Sequence, residues 1–476
     1  MLRILIPALA SLLLTTAASA QTLDATAPLP EAGTLASLPA AETPASLEQR
    51  VAVLDQKVRV LEARADVAQE VANARNGAGT ADGDDLVLRS KSGDLSLQFN
   101  GILQADGRLF LNDDARKLTD TFTTRVIRPV FSGAFGKLLR WQFTPDFAGG
   151  VVTIQDAWVD LVLGDHVTVR VGKMTVPFGL ERWQGTAALR FIERAYPTQL
   201  SPNRDVGILI FGDLLQKRIG WSLGAYDGGI DNSLTDTDNN DSKDVVGRIF
   251  AQPFATLENP WLSSLLIGGA FSWGEQNGTD STPNTPSWKT PGQNTFYTFR
   301  NAEKGTDAKG NAITLANPVA NGARLRWTAH AWWTGGPLAF LGEYTAVTEA
   351  VSRSGVSGDW KSSAWQGALT YVIGGRPHFS GTTVTTPFRL GGDGWGAFEL
   401  AARASSIATD SASYATWADP SKSARQATSF TGGVRWHLST HYRIFLDYEH
   451  TIFSGGAASG DLVTEHAVLG RVQLAY

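Results

Sequence analysis

From residue 95 to residue 476, apolar and polar side chains alternate in short bursts separated by turn residues. In Asp156–Leu163 the apolar Ala157, Val159, Leu161 and Leu163 alternate with Asp156, Trp158 and Asp160. Beyond Gly164-Asp165, Val167, Val169 and Val171 alternate with Thr168, Arg170 and Gly172. A period of two on both sides of a short Gly/Asp turn predicts an antiparallel hairpin with one apolar and one polar face. The same rhythm places sixteen strands, near 95–110, 121–135, 138–147, 151–163, 166–176, 205–213, 217–227, 243–253, 262–273, 321–333, 337–351, 359–373, 394–406, 426–438, 441–453 and 461–476. An even number lets one chain close a barrel with both ends on the same side. The fold class expected is therefore all-β, a 16-stranded antiparallel transmembrane β-barrel, apolar outside and too wide for side chains alone to fill. Short links (Gly136-Lys137, Gly164-Asp165, Gly335-Gly336, Ser439-Thr440) should lie at the periplasmic end, and long ones (Asp227–Ser242, Gly274–Ala320) outside.

The first 94 residues follow other rules. Met1–Ala20 has Arg3, an apolar Ile4–Leu14 core and Ala18-Ser19-Ala20, the pattern of a cleaved export signal. An Ala/Pro-rich tether (21–45) follows. Across 46–75, Leu47, Val51, Leu54, Val58, Leu61, Ala65, Ala68 and Ala72 step by four and three, predicting a short coiled-coil helix before the barrel. Val at a with Leu at d leans towards two strands. A Gly/Asp-rich linker, 76–94, leads into the barrel.

Composition narrows the chemistry. With no Cys there are no disulfides and no thiolate metal sites. Past the N-terminus no run of 18 apolar residues offers a membrane-spanning helix, a test to which barrels are blind. A net charge of −5 gives no footprint for nucleic acid. Neither a zinc HExxH motif nor a P-loop occurs, and no cofactor is expected. In the acidic stretch Asp231–Asp244, Asp236, Asp238 and Asn240 fit the first positions of a calcium loop. Asp241 stands where Gly is needed and Gly247 where the bidentate Glu belongs, so a solvated external loop is the better reading.

A charge facing lipid at mid-bilayer would cost about 2–4 kcal/mol, so strand charges should point inward. That parity holds Arg170, Arg248, Arg324, Arg326, Arg403, Arg435, Arg443 and Arg471 against Asp156, Asp160, Glu399, Asp447 and Glu449. The long link Glu181–Asp205 adds Arg182, Arg190, Arg194 and Arg204.

The motifs DFAGG, QDAWVD, VRVGK, VPFGLER, FIERAYPTQLSP and RDVG stand in one order between Asp146 and Gly207. With them the chain resembles the phosphate-selective porin O and P family, from about Gln98 to Tyr476. The resemblance implies an outer-membrane homotrimer of sixteen-stranded barrels, surrounded by lipid, whose basic lining passes inorganic phosphate or other small anions. It implies a channel rather than an enzyme, and three strands in the coiled coil rather than two. It also implies that the link after strand five folds inward and narrows the pore, with Arg190 and Arg194 in the matching basic positions. These two are expected to face water at the narrowest point, assisted by Arg170. The candidate anion-binding set is Arg125, Arg128, Arg170, Arg190, Arg194, Arg204, Arg248, Arg324 and Arg326. Two features depart from the family pattern: Val126 dilutes the arginines of strand two, and Asp231–Asp244 is acidic where a phosphate collector would be lysine-rich. General small-solute permeation therefore stands beside anion preference. An envelope-tethering protein built on the coiled coil is a further alternative. A barrel enzyme would need convergent groups at the membrane boundary, for which His437 and His441 come nearest.

Overall fold

The computed structural model describes residues 80–82, 85–111, 117–234, 241–306 and 311–476. The expected signal, tether and coiled coil lie outside the described residues, as do Asp236, Asp238 and Asn240.

All sixteen expected strands are present: β1 (Leu95–Phe110), β2 (Thr121–Phe135), β3 (Leu139–Asp146), β4 (Thr153–Val162), β5 (Thr168–Thr175), β6 (Arg204–Leu214), β7 (Ile219–Tyr226) and β8 (Asp244–Ala251), then β9 (Leu266–Asn277), β10 (Val319–Gly335), β11 (Leu338–Arg353), β12 (Val356–Ile373), β13 (Ala397–Thr409), β14 (Ala424–His437), β15 (Tyr442–Gly455) and β16 (Glu465–Ala475). Each pairs antiparallel with its successor, and β16 pairs with β1 to close the ring. Closure is what a membrane demands of strands, because an open edge would leave backbone groups unbonded in hydrocarbon. The alternation sorts as the pattern requires. Val159, Ile208, Leu223, Ile249, Phe271, Leu369, Leu446 and Val472 face outward and exposed, while Asp160, Arg326, Glu399, Arg435 and Asp447 are buried on the lumen side.

Link length does not follow side as simply as expected. Ser354 and Gly355 join β11 to β12 at the end away from the termini, in a two-residue turn with φ of 49° and 84°. Positive φ at both positions suits a tight hairpin and makes a long loop unnecessary. At the end that carries the termini, residues 374–396 form a long link containing a small hairpin, Gly375–His378 with Gly381–Val384. The stretch expected to be a plain linker before β1 also holds strand, Asp85–Arg89, whose Leu86–Arg89 pairs with Ser96–Phe99 of β1.

The link 176–203, between β5 and β6, is almost wholly buried inside the barrel. It carries one helical turn, Leu180–Trp183, and two 3-10 turns, Thr186–Ala188 and Tyr196–Leu200. Its descending limb packs Leu180 and Phe191 on Trp332, Leu341, Ala368 and Ala401 of the wall, with Phe379 of the 374–396 link beside them. Its returning limb packs Tyr196 and Leu200 into an aromatic cluster with Trp288, Phe296, Tyr297 and Phe299 of the 278–318 link and Val347, Trp360, Ile407 and Trp417. Lumen-facing alanines on β12–β14 (Ala364, Ala368, Ala401, Ala427) make room for these rings. The lumen beside β10–β15 is thereby filled, and the open space is displaced towards β1–β4.

Candidate solute eyelet

Between β1–β4 and the inward link lies a cavity of ≈ 700 Å³. Its lining contains eight basic side chains (Arg108, Arg125, Arg128, Arg182, Arg194, Arg204, Lys289, Arg471) and two carboxylates, Asp146 and Glu193. Uncharged hydrogen-bonding groups fill much of the rest, among them Gln104, Thr123, Thr124, Thr186, Asn203 and Asn232.

Two irregularities of the wall build this lining. Arg125 and Arg128 are three apart, so strict alternation would send them to opposite faces. The β1–β2 register runs from Gln104 opposite Val126 to Ala105 opposite Thr124, which leaves Arg125 as the extra residue of a β-bulge. The bulge brings its guanidinium to the same cavity as that of Arg128. A second slip, from Thr144 opposite Asp156 to Pro145 opposite Ile154, does the same for Gln155.

The ion pairs hold most of these arginines without cancelling them. Arg125 donates to both oxygens of Glu193 at 3.1 and 3.2 Å, and Arg108 reaches the same carboxylate at 3.2 Å. Arg128 donates to Asp146 at 2.7 Å and to the Thr186 hydroxyl at 3.2 Å, tying the wall to the link. Arg471 grips Asp106 through two bonds of 2.7 Å. Arg204 pairs with Asp156 at 3.2 Å. Arg194 and Arg182 differ, because they donate to neutral groups: Arg194 to the carbonyls of Glu181 and Gln184, Arg182 to the Thr198 carbonyl and the Asn232 side chain. Their positive charge is unmatched by a bonded carboxylate. Burial, with Arg194 and Arg204 nearby, pushes Arg182 down to about 9. Burial likewise pushes Arg194 down to about 10, so both remain charged at neutral pH. For Glu193 burial acts upward, but Arg125 foremost, then Arg471 and Arg108, holds it below the usual carboxylate range, and it too is charged.

Of the nine arginines expected from sequence, Arg125, Arg128, Arg194 and Arg204 meet at this cavity. The other five lie elsewhere. Arg170 stays on β5, paired with Asp160 at 2.6 and 2.9 Å and stacked on the Trp158 ring at 3.5 Å. Arg190, expected to face water, is buried at the far tip of the link, where it donates to Glu399 at 2.8 Å and to the His378 and Gly381 carbonyls. It is placed to anchor the link. Arg324 and Arg326 are buried against Asp244, and Arg326 also meets Asp231 at 2.8 Å. Those two acids, at the edges of the stretch expected to be solvated, are thus buried counterions. Arg248 is buried on β8 between the rings of Trp183 and Phe250.

Four lining cations stand outside the expected set. Arg471 already stood on the inward parity, and Arg108 shares the parity of Gln104 and Asp106, so periodicity could have supplied it too. Arg182 was visible as part of the arginine-bearing link. Lys289 arrives from the 278–318 link through backbone bonds to the Gln199 side chain, and its local sequence carries no sign of this. His437 bonds Glu399 at 3.0 Å and His441 bonds the Ala475 carbonyl, so the two do not converge on a nucleophile. Among the described residues no group of three or more His, Asp or Glu is arranged to hold a metal.

Residues 97–476 match the family described as phosphate-selective porin O and P. The chain belongs to that family. It is accordingly an outer-membrane porin, a channel by family and by fold. The barrel resembles OmpT, an outer membrane protein of Vibrio cholerae, at 10% identity and a TM-score of 0.51, covering 82% of this chain and 99% of that one. An anion-selective porin from Comamonas acidovorans aligns at 12% identity and a TM-score of 0.48, covering 80% of this chain and 100% of that one. At such identities the likeness is one of fold. No curated protein matches the chain in sequence.

Proposed function

We propose that this porin passes small anions, inorganic phosphate among them, by passive diffusion through the eyelet between β1–β4 and the inward link. One observation carries the reading: eight basic side chains face two carboxylates around ≈ 700 Å³ of space. An anion entering there exchanges part of its hydration shell for guanidinium donors, whose planar N–H pairs match phosphate oxygens. Arg182 and Arg194 supply the strongest pull, since their bonds go to neutral groups. Arg108, Arg125, Arg128, Arg204 and Arg471 are each shared with a carboxylate and give shallower stations. Conduction needs that gradation, because a single deep trap would hold the ion instead of passing it. In this reading three copies assemble in the outer membrane, the heptads of 46–75 joining them on the periplasmic side.

General small-solute permeation is the second reading. The uncharged amides and hydroxyls of the lining favour it, together with a whole-chain charge of −5. The deciding measurement is the zero-current potential of the reconstituted protein in a KCl gradient, repeated with phosphate added to one side. Anion preference, with phosphate reducing chloride current, is the expected result. Cation preference would overturn the proposal, and an unselective pore would leave the general reading in its place.

A further inference from the structure

Away from the eyelet, β8–β11 carry a buried, lumen-facing row in strict register. Arg248 stands opposite Ala270, Ala270 opposite Thr328, and Thr328 opposite Thr345. In the adjoining row His330 stands opposite Gly268 on one side and Glu343 on the other. Every polar member of this group is at least nine-tenths buried. Arg248 Nε, both ring nitrogens of His330 and the hydroxyls of Thr328 and Thr345 have no hydrogen-bond partner among the described residues.

Arg248 is the least partnered of the buried wall arginines: Arg443 also lacks an ion pair among the described residues but donates to the Ala187 and Thr440 carbonyls, while Arg248 makes no hydrogen bond there. Arg326, Arg435 and Arg471 each touch a carboxylate at 2.7–2.9 Å, whereas Arg248 forms no ion pair among the described residues. The acid in the adjoining row, Glu343, already accepts from the amides of Leu180 and Glu181 and from the Gln366 side chain. A guanidinium does not shed its proton to escape burial, so an uncompensated one is strongly unfavourable. The surroundings are shaped for something small. A Cβ at Gly268 would lie 2.8 Å from His330 Nε2, so the glycine leaves the notch that the imidazole fills. The Trp183 ring, centred 5.1 Å from the guanidinium, covers Arg248 from the inward link, and its own 38% exposure gives a route from the lumen.

We propose that Arg248, His330, Thr328 and Thr345 form a site for one monovalent inorganic anion of halide size. The ion supplies the missing counter-charge beneath the Trp183 ring. The donor set brings one fixed positive charge and otherwise neutral N–H and O–H groups. That matches a single negative charge, whereas a doubly charged phosphate would call for a second cation.

The test uses bromide as probe. Crystals of the full-length protein grown in bromide should show anomalous density within hydrogen-bond reach of Arg248 and the two hydroxyls, absent in Arg248→Met. In case that variant misfolds, Thr328→Val with Thr345→Val keeps the cation and removes two donors. Hydrogen bonds to a charged group are each worth roughly a tenfold change in affinity, so the bromide needed for half-maximal thermal stabilisation should rise by at least about tenfold. Ordered water without bromide at Arg248, or equal stabilisation of wild type and the double variant, would overturn the assignment. Zero-current potentials separate this from the eyelet reading: both variants should keep the wild-type value, since neither touches the eyelet.

Discussion

Replacing Arg125 by alanine should turn the eyelet towards cations by about four- to fivefold in permeability ratio. The cavity of ≈ 700 Å³ has the volume of a sphere about 5.5 Å in radius, which sets the distance from a central ion to the lining charges. The Arg125 side chain keeps 41% exposure beside Glu193, so the dielectric of water is the fitting choice. One unit charge at that distance then contributes about 0.75 kcal/mol, falling to about 0.4 kcal/mol under the ~10 Å Debye length of 0.1 M salt. The anion loses that amount and the cation gains it, so their difference moves by about 0.9 kcal/mol, or four- to fivefold. Folding should be nearly untouched, because a half-exposed pair contributes little and Glu193 retains Arg108 at 3.2 Å. The assay is the zero-current potential across a planar bilayer in a roughly tenfold KCl gradient near 0.1 M. Arg170→Ala serves as control, since Arg170 is lumen-facing yet outside the eyelet. An unmoved potential in Arg125→Ala, or an equal movement in the control, would refute the placement of this charge on the permeation path.

Three further outcomes follow from the geometry. Arg190→Met removes the buried partner of Glu399 and the donors to His378 and Gly381, and should lower stability by about 3–5 kcal/mol; an unchanged urea midpoint for loss of the folded, heat-modifiable band would remove the anchoring role. Anion preference should stay flat from about pH 5 to 8, because Glu193 is already ionised and the arginines are still protonated. A preference that changed within that window would contradict this charge assignment. Trp288→Ala cuts a fully buried ring stacked 4.2 Å from Tyr297 and should cost about 3–5 kcal/mol. With the 278–318 link loosened, single-channel conductance should increase and anion preference should weaken as Lys289 leaves the eyelet lining; a conductance equal to wild type would show that this link does not limit flow.

The sixteen strands were legible because each repeats a period of two over its own length, a signal that needs no knowledge of neighbours. The link after β5 was legible as a long arginine-bearing insertion, and its inward course was implied only by the family resemblance. What pairs with what inside the barrel was not. Arg190 looked like a solvated loop cation because its partner Glu399 is 209 residues away, and nothing local announces a buried contact made across the lumen. Arg125 reaches the eyelet only through a bulge fixed by the opposing strand β1. The filling of one side was hidden for a related reason. Ala364, Ala368 and Ala401 look like weak strand residues until the rings of another segment are laid over them. Arg108 is the instructive omission, since its parity with Gln104 and Asp106 was available without any structure.

The first strand of the barrel is served by two suppliers laid end to end. Ile102–Phe110 of β1 bonds to β16, and Gly101 exchanges backbone bonds with Tyr476. From Phe99 back to Ser96 the partner changes to Leu86–Arg89. The joint is staggered, as bricks are, so no single segment finishes the wall. During assembly the ring can close as soon as β16 arrives, yet a short ledge of backbone donors and acceptors at the rim stays adhesive until residues 85–89 settle on it. A barrel trimmed to begin at residue 95 would keep its closed ring and acquire a sticky lip.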